Sequence, residues 1–378
     1  MAAFAMGPQS GRVSLDRHRI MTPENRIPIG SELLARLPVS PDAYPQKLDL
    51  IRSLVLVIRI DAGTYRSASF LDDRILAPST QGAWLPIAGV AEAASRIADP
   101  RLLHFIFHTG HVGSTLVSRL LDETGQVLPL REPLPLRNLA EAHDVLGQPE
   151  SLLSESQFGA ALGMTLRLWA RGYEWTRAVV VKATSSAGRM VVPLLEARPE
   201  SRAICLNLGA ESYLATLLSG QNSAEDLRGH GPGRIRRLQA RCAVPLGPLH
   251  LLSLGELAAL GWLVETASQQ DAMRRFPERV LAIDFDDFLA AVTDGMDRIL
   301  GHFGLQRDER FLAAVAASPV LLRYSKAPER LYSPEDRSLL LRESRQLNSL
   351  EIRKGMAWLE RLAKSEPSLA AVFGAGGP

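Results

Sequence analysis

Residues 103–122 combine an apolar run, a turn rich in small residues and the apolar spacing of a helix. The apolar run ends at Phe107, and Leu116, Leu120 and Leu121 recur after the turn at helical spacing. The segment therefore predicts a strand, a loop and a helix in succession. Because glycine lets the backbone approach an anion closely, and the first amides of a helix point at such an anion, we expect the loop to bind a phosphate or a sulfonate.

The loop contains backbone amides and hydroxyl groups but no lysine. The P-loop of nucleotide hydrolases ends in Gly-Lys-Ser/Thr, so ordinary ATP or GTP hydrolysis is disfavoured. A second interpretation stays open, a glycine-rich turn that only joins the strand to the helix, because short Gly/Ser/Thr motifs give many false matches. The expected anion-binding residues are Gly110, His111, Val112, Gly113, Ser114 and Thr115.

Length and charge narrow the class of protein. The chain has 378 residues, which suits one main domain with a smaller appendage. Its net charge of +2 gives no basic field for general nucleic-acid binding, and no run of residues is apolar enough to span a membrane. Two cysteines, Cys205 and Cys242, are too few for a disulfide framework, and no secretion signal is visible. A cytoplasmic protein without nucleic-acid or membrane partners is predicted.

Strands alternate with helices through the middle of the chain. Compact apolar or β-branched runs are separated there by longer stretches with helical spacing. This alternation predicts an α/β fold whose parallel sheet is covered on both faces. The predicted strands are residues 103–107, 127–130, 178–181, 203–206 and 280–285.

Four regions are predicted along the chain. No motif before residue 99 carries chemistry, so a lid, a dimerisation surface, a docking unit and plain packing are all open interpretations of the N-terminal part. The four regions are a loose leader (1–45), a small β-rich unit (46–98), an α/β domain (99–305) and a helical C-terminal region (306–378).

The loop resembles the 5′-phosphosulfate loop of sulfotransferases, which use 3′-phosphoadenosine 5′-phosphosulfate (PAPS) and whose loop reads roughly Pro-Lys/Arg-x-Gly-Ser/Thr-Thr. Gly113, Ser114 and Thr115 match this loop, whereas His111 replaces the lysine or arginine of the family. Four motifs in the order and spacing of the family cover residues 103–305. The resemblance implies a P-loop NTPase-like, three-layer sulfotransferase fold with PAPS as co-substrate, and no metal is expected.

Two side chains are expected to carry the chemistry of sulfuryl transfer. Lys182, at the end of a predicted strand, matches the family lysine that contacts the transferred group. Thr184 replaces the histidine base of the cytosolic enzymes, so the resemblance to carbohydrate-type and bacterial sulfotransferases points to Glu132 as the general base. Two alternatives stay open: Lys182 as an exposed surface lysine, and Glu132 in a salt bridge with Arg131 or Arg137.

The 3′-phosphate segment of the family is only partly preserved. Alignment on residues 214–218 puts Thr216 at the serine of the family and Leu208 at its arginine. Arg189 is the candidate for the missing charge. His111 is also expected to act catalytically, since a protonated imidazole beside a phosphate does part of the work of a lysine.

The sequence favours a sulfotransferase that moves a sulfuryl group from PAPS to a hydroxyl or amine acceptor. The acceptor is expected to be a small molecule, a carbohydrate or a peptide, and a homo-oligomer is possible. Two alternatives stay open: another transferase that uses a phosphorylated donor on the same scaffold, and an inactive sulfotransferase-like binding protein.

The basic segment Arg228–Arg241 is interpreted as a mobile loop over an anionic substrate or as a solvated surface, and Arg323–Lys326 as a cap of the site.

Overall fold

A computed structural model describes residues 26–220 and 223–374 of the chain. The first 25 residues of the predicted loose leader lie outside this part. The described remainder of that stretch contains a helix, Arg26–Arg36 (α1), and the beginning of a strand, Ala43–Asp49 (β1). The described part of the predicted leader therefore contains regular structure.

Three antiparallel strands form a small sheet near the N-terminus. Strand β1 pairs with Leu54–Arg59 (β2), and β2 pairs with Gly82–Pro86 (β3). The buried side chains of this sheet belong to the same hydrophobic cluster as those on one face of the larger sheet. The β-rich unit predicted at 46–98 thus shares its core with the rest of the fold.

Five parallel strands form the larger sheet, and their bounds lie within one residue of the predicted ones. The strands are Leu102–His108 (β4), Val127–Arg131 (β5), Ala178–Lys182 (β6), Ala203–Asn207 (β7) and Val280–Asp284 (β8). Their order across the sheet is β5-β6-β4-β7-β8. Because all the carboxyl ends of parallel strands meet at one edge, the loops after these strands share that edge.

Helices connect the strands and form the C-terminal region. The helices that follow α1, as far as the one after β7, are Ala62–Ser67 (α2), Ile87–Ser95 (α3), Ser114–Glu123 (α4), Leu134–His143 (α5), Glu155–Trp169 (α6), Val191–Ala197 (α7) and Ala210–Leu218 (α8). The later ones are Ser223–Gln239 (α9), Leu254–Arg275 (α10), Phe285–Ala290 (α11), Val292–Phe303 (α12), Glu309–Val315 (α13), Pro334–Leu347 (α14), Ser349–Ser365 (α15) and Pro367–Gly374 (α16).

Alternate side chains of the central strand β4 point to opposite faces of the parallel sheet. Phe105 and Phe107 are buried with apolar residues of α5, α6, α7 and the small antiparallel sheet. Ile106 is buried with apolar residues of α4, α8, α10 and α12. The parallel sheet is thus the middle of three layers, and the predicted α/β fold with a helical C-terminal region is confirmed.

Two buried arginines join the N-terminal segments to the parallel-sheet layer. Arg171, just after α6, donates hydrogen bonds to three carbonyl oxygens between the end of α1 and the start of β1. Arg131, at the end of β5, donates to carbonyl oxygens at the end of α2 and pairs with Asp122 of α4. Burial lowers the pKa of each guanidinium to about 10, so both keep their charge near pH 7.

The basic segment Arg228–Arg241 is helical up to Gln239, so its interpretation as a mobile loop is wrong. Three glycines and Pro232 lower the intrinsic helix propensity of this segment. However, Leu227 and Leu238 of α9 are buried in the same cluster as α10, and this packing outweighs the propensity.

The C-terminal helices pack closely against α10. A Cβ atom on Gly255 would lie 1.8 Å from the carbonyl oxygen of Glu351, and one on Gly355 would lie 2.5 Å from the carbonyl oxygen of Gly255. Helices α10 and α15 therefore touch backbone to backbone, which only glycine permits.

Within residues 26–220 and 223–374, no helix is both long and apolar enough to cross a membrane.

Candidate functional site

The predicted anion loop connects β4 to α4 at the carboxyl edge of the parallel sheet. Three of its residues have left-handed backbone conformations: Gly110 (φ 106°), His111 (φ 55°) and Gly113 (φ 69°). For His111 this conformation is unusual, and strain of this kind concentrates at functional sites. The loop is therefore held in a specific shape and is more than a simple connection.

Phe285, the first residue of α11, packs on the loop. A Cβ atom on Gly113 would lie 1.9 Å from Cε2 of the Phe285 ring. Both the backbone conformation and the contact with this ring therefore require glycine at position 113. The ring also forms part of a cavity wall beside the loop.

Hydrogen-bond donors at the start of α4 lack protein acceptors among the described residues. Gly113 caps the helix without a side-chain hydrogen bond to its first amides. Thr115 lines the cavity with its side chain almost wholly buried, and its hydroxyl group has no hydrogen-bond partner among the residues that the structure describes. A buried hydroxyl without a partner costs free energy, so this one marks a place for a ligand. Together with the helix amides it forms a site suited to an anion.

The cavity beside the loop has a volume of about 270 Å³. Its walls come from the loop and α4, the end of α8, α11, α14 and the segment 322–332. This segment is a hairpin, closed by a hydrogen bond from the amide of Tyr332 to the carbonyl oxygen of Leu322. We call it the 322–332 hairpin. The lining side chains that carry a positive charge at neutral pH are Arg323, Lys326 and Arg337.

Aromatic and aliphatic side chains form the other part of this cavity, which suits a flat ring system. They are Phe285, Leu289, Leu321, Tyr324, Tyr332, Leu340 and Leu341. Tyr324 and Lys326 belong to the predicted cap of the site, whereas Arg337 and Phe285 are not among the predicted site residues. Neither residue has a local motif, and only the packing of α11 and α14 beside the loop brings them to the site.

The surroundings of His111 disfavour a positive charge on its ring in the protein without a ligand. Its ring is open to the cavity, but the surrounding protein lowers its pKa below the ordinary value, and the nearby ammonium group of Lys326 acts in the same direction. The imidazole is therefore neutral near pH 7 in the unliganded protein. The expectation that a protonated His111 replaces the family lysine concerns the donor-bound protein, so it stays a prediction.

Glu132 and Lys182 lie together at the ends of neighbouring strands. The ammonium group of Lys182 donates a hydrogen bond to a carboxylate oxygen of Glu132, and the Glu132 amide donates to the Lys182 carbonyl oxygen. Lys182 is fully buried, so it is not a surface lysine, and Glu132 pairs with it and not with Arg131 or Arg137. Burial lowers the pKa of Lys182, and the Glu132 carboxylate opposes this shift.

The other residues considered for donor binding lie in three different places. Thr216 lines the cavity, where its hydroxyl group donates to the Ser212 carbonyl oxygen. Leu208 is buried in the core, and the indole of Trp262 donates to its carbonyl oxygen. Arg189 lies in another cleft, in an ion pair with Asp144. Of the residues predicted to contact the donor, Arg189 is thus not brought to the loop.

No family model and no curated protein sequence matches this chain. A sulfotransferase domain from the curacin biosynthetic pathway is 14% identical, with 70% of this chain and 98% of that domain covered at a TM-score of 0.36. A mouse sulfotransferase complexed with PAP is 9% identical, with coverages of 75% and 92% and a TM-score of 0.37. A Mycobacterium avium sulfotransferase is 13% identical, with coverages of 84% and 96% and a TM-score of 0.37.

The chain resembles sulfotransferases. At these identities and TM-scores, however, the likeness alone establishes neither an activity nor a donor. The functional proposal therefore rests on the loop, the cavity and the pair of Glu132 and Lys182.

Proposed function

We propose that the protein is a sulfotransferase that binds PAPS in the cavity beside the loop and transfers its sulfuryl group to a hydroxyl or amine acceptor. One observation carries the proposal above the others. The cavity is lined by the start of α4, which has no side-chain cap, and by Thr115, whose buried hydroxyl has no partner among the described residues. Cationic side chains line the same cavity. A nucleotide with an anionic 5′ group fits this combination.

The donor would be held along the length of the cavity. The amides of the loop, with Ser114 and Thr115, would hold its 5′ anionic group. Thr216 and Arg337 line the cavity with the loop, and we propose that they contact the phosphate at the 3′ position. Phe285 would contact the base. When bound, the donor supplies a sulfuryl group on a phosphate leaving group.

Glu132 and Lys182 are the proposed catalytic residues. The acceptor oxygen or nitrogen forms a bond to sulfur while the bond from sulfur to the phosphate oxygen breaks, and the acceptor proton passes to the Glu132 carboxylate. Lys182 holds this carboxylate in place and brings a positive charge to the edge where the leaving phosphate gains negative charge. The acceptor would be a small molecule, a carbohydrate or a peptide.

We place the protein in the cytoplasm, because Cys205 and Cys242 are both unpaired.

Calorimetric titration with adenosine 3′,5′-bisphosphate, ATP and GTP tests the donor site. Tight binding of the bisphosphate with weak binding of the other two is expected. Thr115→Val is the matched variant because the Thr115 hydroxyl bonds to no protein group. We expect unchanged or slightly higher stability, and roughly two- to tenfold weaker binding of the bisphosphate, since one neutral hydrogen bond to the ligand is lost. Equal binding by both proteins would exclude the loop as the anion site.

A transferase with another phosphorylated donor is the second candidate. It is favoured by the burial of Leu208, because the residue aligned with the 3′-phosphate arginine of the sulfotransferases is apolar and faces the core. The same titration separates the two candidates. A preference for ATP or GTP over the bisphosphate would favour this second function. Binding without transfer to any acceptor would favour an inactive sulfotransferase-like protein.

A further inference from the structure

We propose that Lys326, at the tip of the 322–332 hairpin, supplies the positive charge that the loop itself lacks and binds the 5′ anionic group of the donor. This inference rests on the proposed function and assigns a ligand-binding role to a residue outside the loop. The loop has His111 where sulfotransferases carry lysine or arginine. The cation would thus reach the same anion from the C-terminal region.

The position of the hairpin tip supports this role. Lys326 lines the cavity together with His111, Ser114 and Thr115. Burial lowers the pKa of His111 and of Lys182, and the charge of Lys326 acts in the same direction on both. Its ammonium group is therefore close enough to influence both halves of the site.

The backbone at this tip is fixed by groups from two other segments. Ser69 donates a hydrogen bond of 2.9 Å to the carbonyl oxygen of Lys326. Arg119 of α4 donates one of 2.7 Å to the carbonyl oxygen of Ser325 and one of 2.8 Å to the Ser69 hydroxyl. Because Arg119 belongs to the helix that begins at the loop, the same helix positions both the anion site and the lysine.

Lys326 also differs from the other two lining cations in what its side chain contacts. Within the described parts of the chain, its half-buried side chain has neither an ion pair nor a hydrogen bond to a protein group. By contrast, Arg337 is paired with Asp286 and Arg323 donates to the carbonyl oxygen of Pro328. Lys182 is held by Glu132. Partly burying a cation without a counter-charge costs free energy, which an incoming anion would recover.

The test uses two nucleotides that differ only at the 5′ position. Adenosine 3′,5′-bisphosphate and adenosine 3′-monophosphate are titrated into the wild-type protein, Lys326→Met and Lys326→Gln. The control variant is Lys364→Met, which removes an exposed lysine of α15. We expect the Lys326 variants to bind the bisphosphate about ten- to a hundredfold more weakly, since a charge-assisted contact is lost. Their affinity for the 3′-monophosphate should change less than twofold.

A rescue variant strengthens the test. His111→Lys combined with Lys326→Met returns a lysine to the loop, so we expect it to recover most of the lost affinity for the bisphosphate. Thermal unfolding monitors the fold of every variant. If Lys326→Met and Lys326→Gln, both folded, bind the bisphosphate as the wild type does, or lose affinity for both nucleotides equally, the role of Lys326 is rejected. Failure of the wild-type protein to bind the bisphosphate would instead reject the proposed function.

Discussion

The ring of Phe285 lies so close to Gly113 that a Cβ atom at position 113 would be 1.9 Å from ring atom Cε2. The loop and α11 are thus in contact at a residue that also has a positive φ angle. A side chain at position 113 would disturb the fold as well as ligand binding. Substitutions there consequently cannot isolate the anion-binding role of the loop.

Gly113→Ala should destabilise the protein by about 2 kcal/mol or more, because it combines overpacking against Phe285 with a strained backbone. The matched control is Gly125→Ala. Gly125 has nearly the same φ angle, 68°, but no atom lies within 4 Å of its added Cβ. Urea unfolding should therefore show a cost of only about 1 kcal/mol for the control. Equal costs for the two variants would mean that the contact with Phe285 is not restrictive.

Glu132→Gln should reduce both stability and sulfuryl transfer. It leaves the fully buried Lys182 without its counter-charge, which typically costs about 3 to 5 kcal/mol. The double variant Glu132→Gln/Lys182→Met should regain most of this free energy of unfolding but no transfer activity. Urea unfolding and a transfer assay, both run on folded protein, check the prediction. Normal turnover by Glu132→Gln would exclude Glu132 as the general base.

Acid should destabilise the protein through His104. Its ring stacks on Phe303 at a centroid distance of 4.8 Å, and burial lowers its pKa to about 4, with His302 acting in the same direction. The unfolded chain therefore binds this proton below about pH 6.5, whereas the folded protein binds it only below about pH 4. The stability contribution is complete above about pH 6.5 and is lost as the pH falls to about 4, a change of roughly 3 kcal/mol.

Replacing this histidine should flatten that pH dependence. His104→Gln is expected to be less stable than the wild type near pH 7 but to lose less stability between pH 6.5 and pH 4. The exposed His250 supplies the control variant, His250→Gln, which should keep the full slope. Free energies of unfolding measured at several pH values decide the question, and an unchanged slope in His104→Gln would assign the acid sensitivity to other groups.

Arg131→Met should loosen α2 locally. Arg131 donates to the carbonyl oxygens of Tyr65, Arg66 and Ala68 at the end of that helix. Without it, these buried acceptors lose their donor, so hydrogen exchange in residues 62–68 should become at least tenfold faster. Arg66→Gln is the control, since it also removes a cationic partner of Asp122 but from a half-exposed position. Equal exchange in both variants would contradict the anchoring role of Arg131.

The sequence predicts the parallel sheet well because each strand is a short, buried, apolar run with helical segments on either side. Of the two interpretations of Arg228–Arg241, the mobile loop fails at α9, although glycines and Pro232 favour a loop there. There the helix depends on burial of Leu227 and Leu238 beside α10, and such tertiary packing leaves no local signal in the segment itself.

The site is predicted only where it is local in sequence. The loop is contiguous, and Glu132 and Lys182 follow strands, so their shared edge follows from the parallel sheet. Their direct pairing depends on the register of β5 and β6, which places Arg131 opposite Lys182. The state of His111 and the place of Lys326 depend on contacts between distant segments. No pattern of spacing near residue 111 indicates that this histidine is neutral. Nor does one indicate that the charge of Lys326, more than two hundred positions later in the chain, acts on it.

The residues that line the cavity come from segments far apart in the sequence, and the most C-terminal of them is Leu341. During synthesis from the N-terminus, all five parallel strands are complete once residue 284 has emerged, but the hairpin and α14 are still missing. A growing chain could therefore form its sheet and loop well before it could hold a nucleotide. Stabilisation by the ligand would begin only after the C-terminal region had closed over the loop, so nucleotide supply would influence the finished protein and not the early steps of its folding.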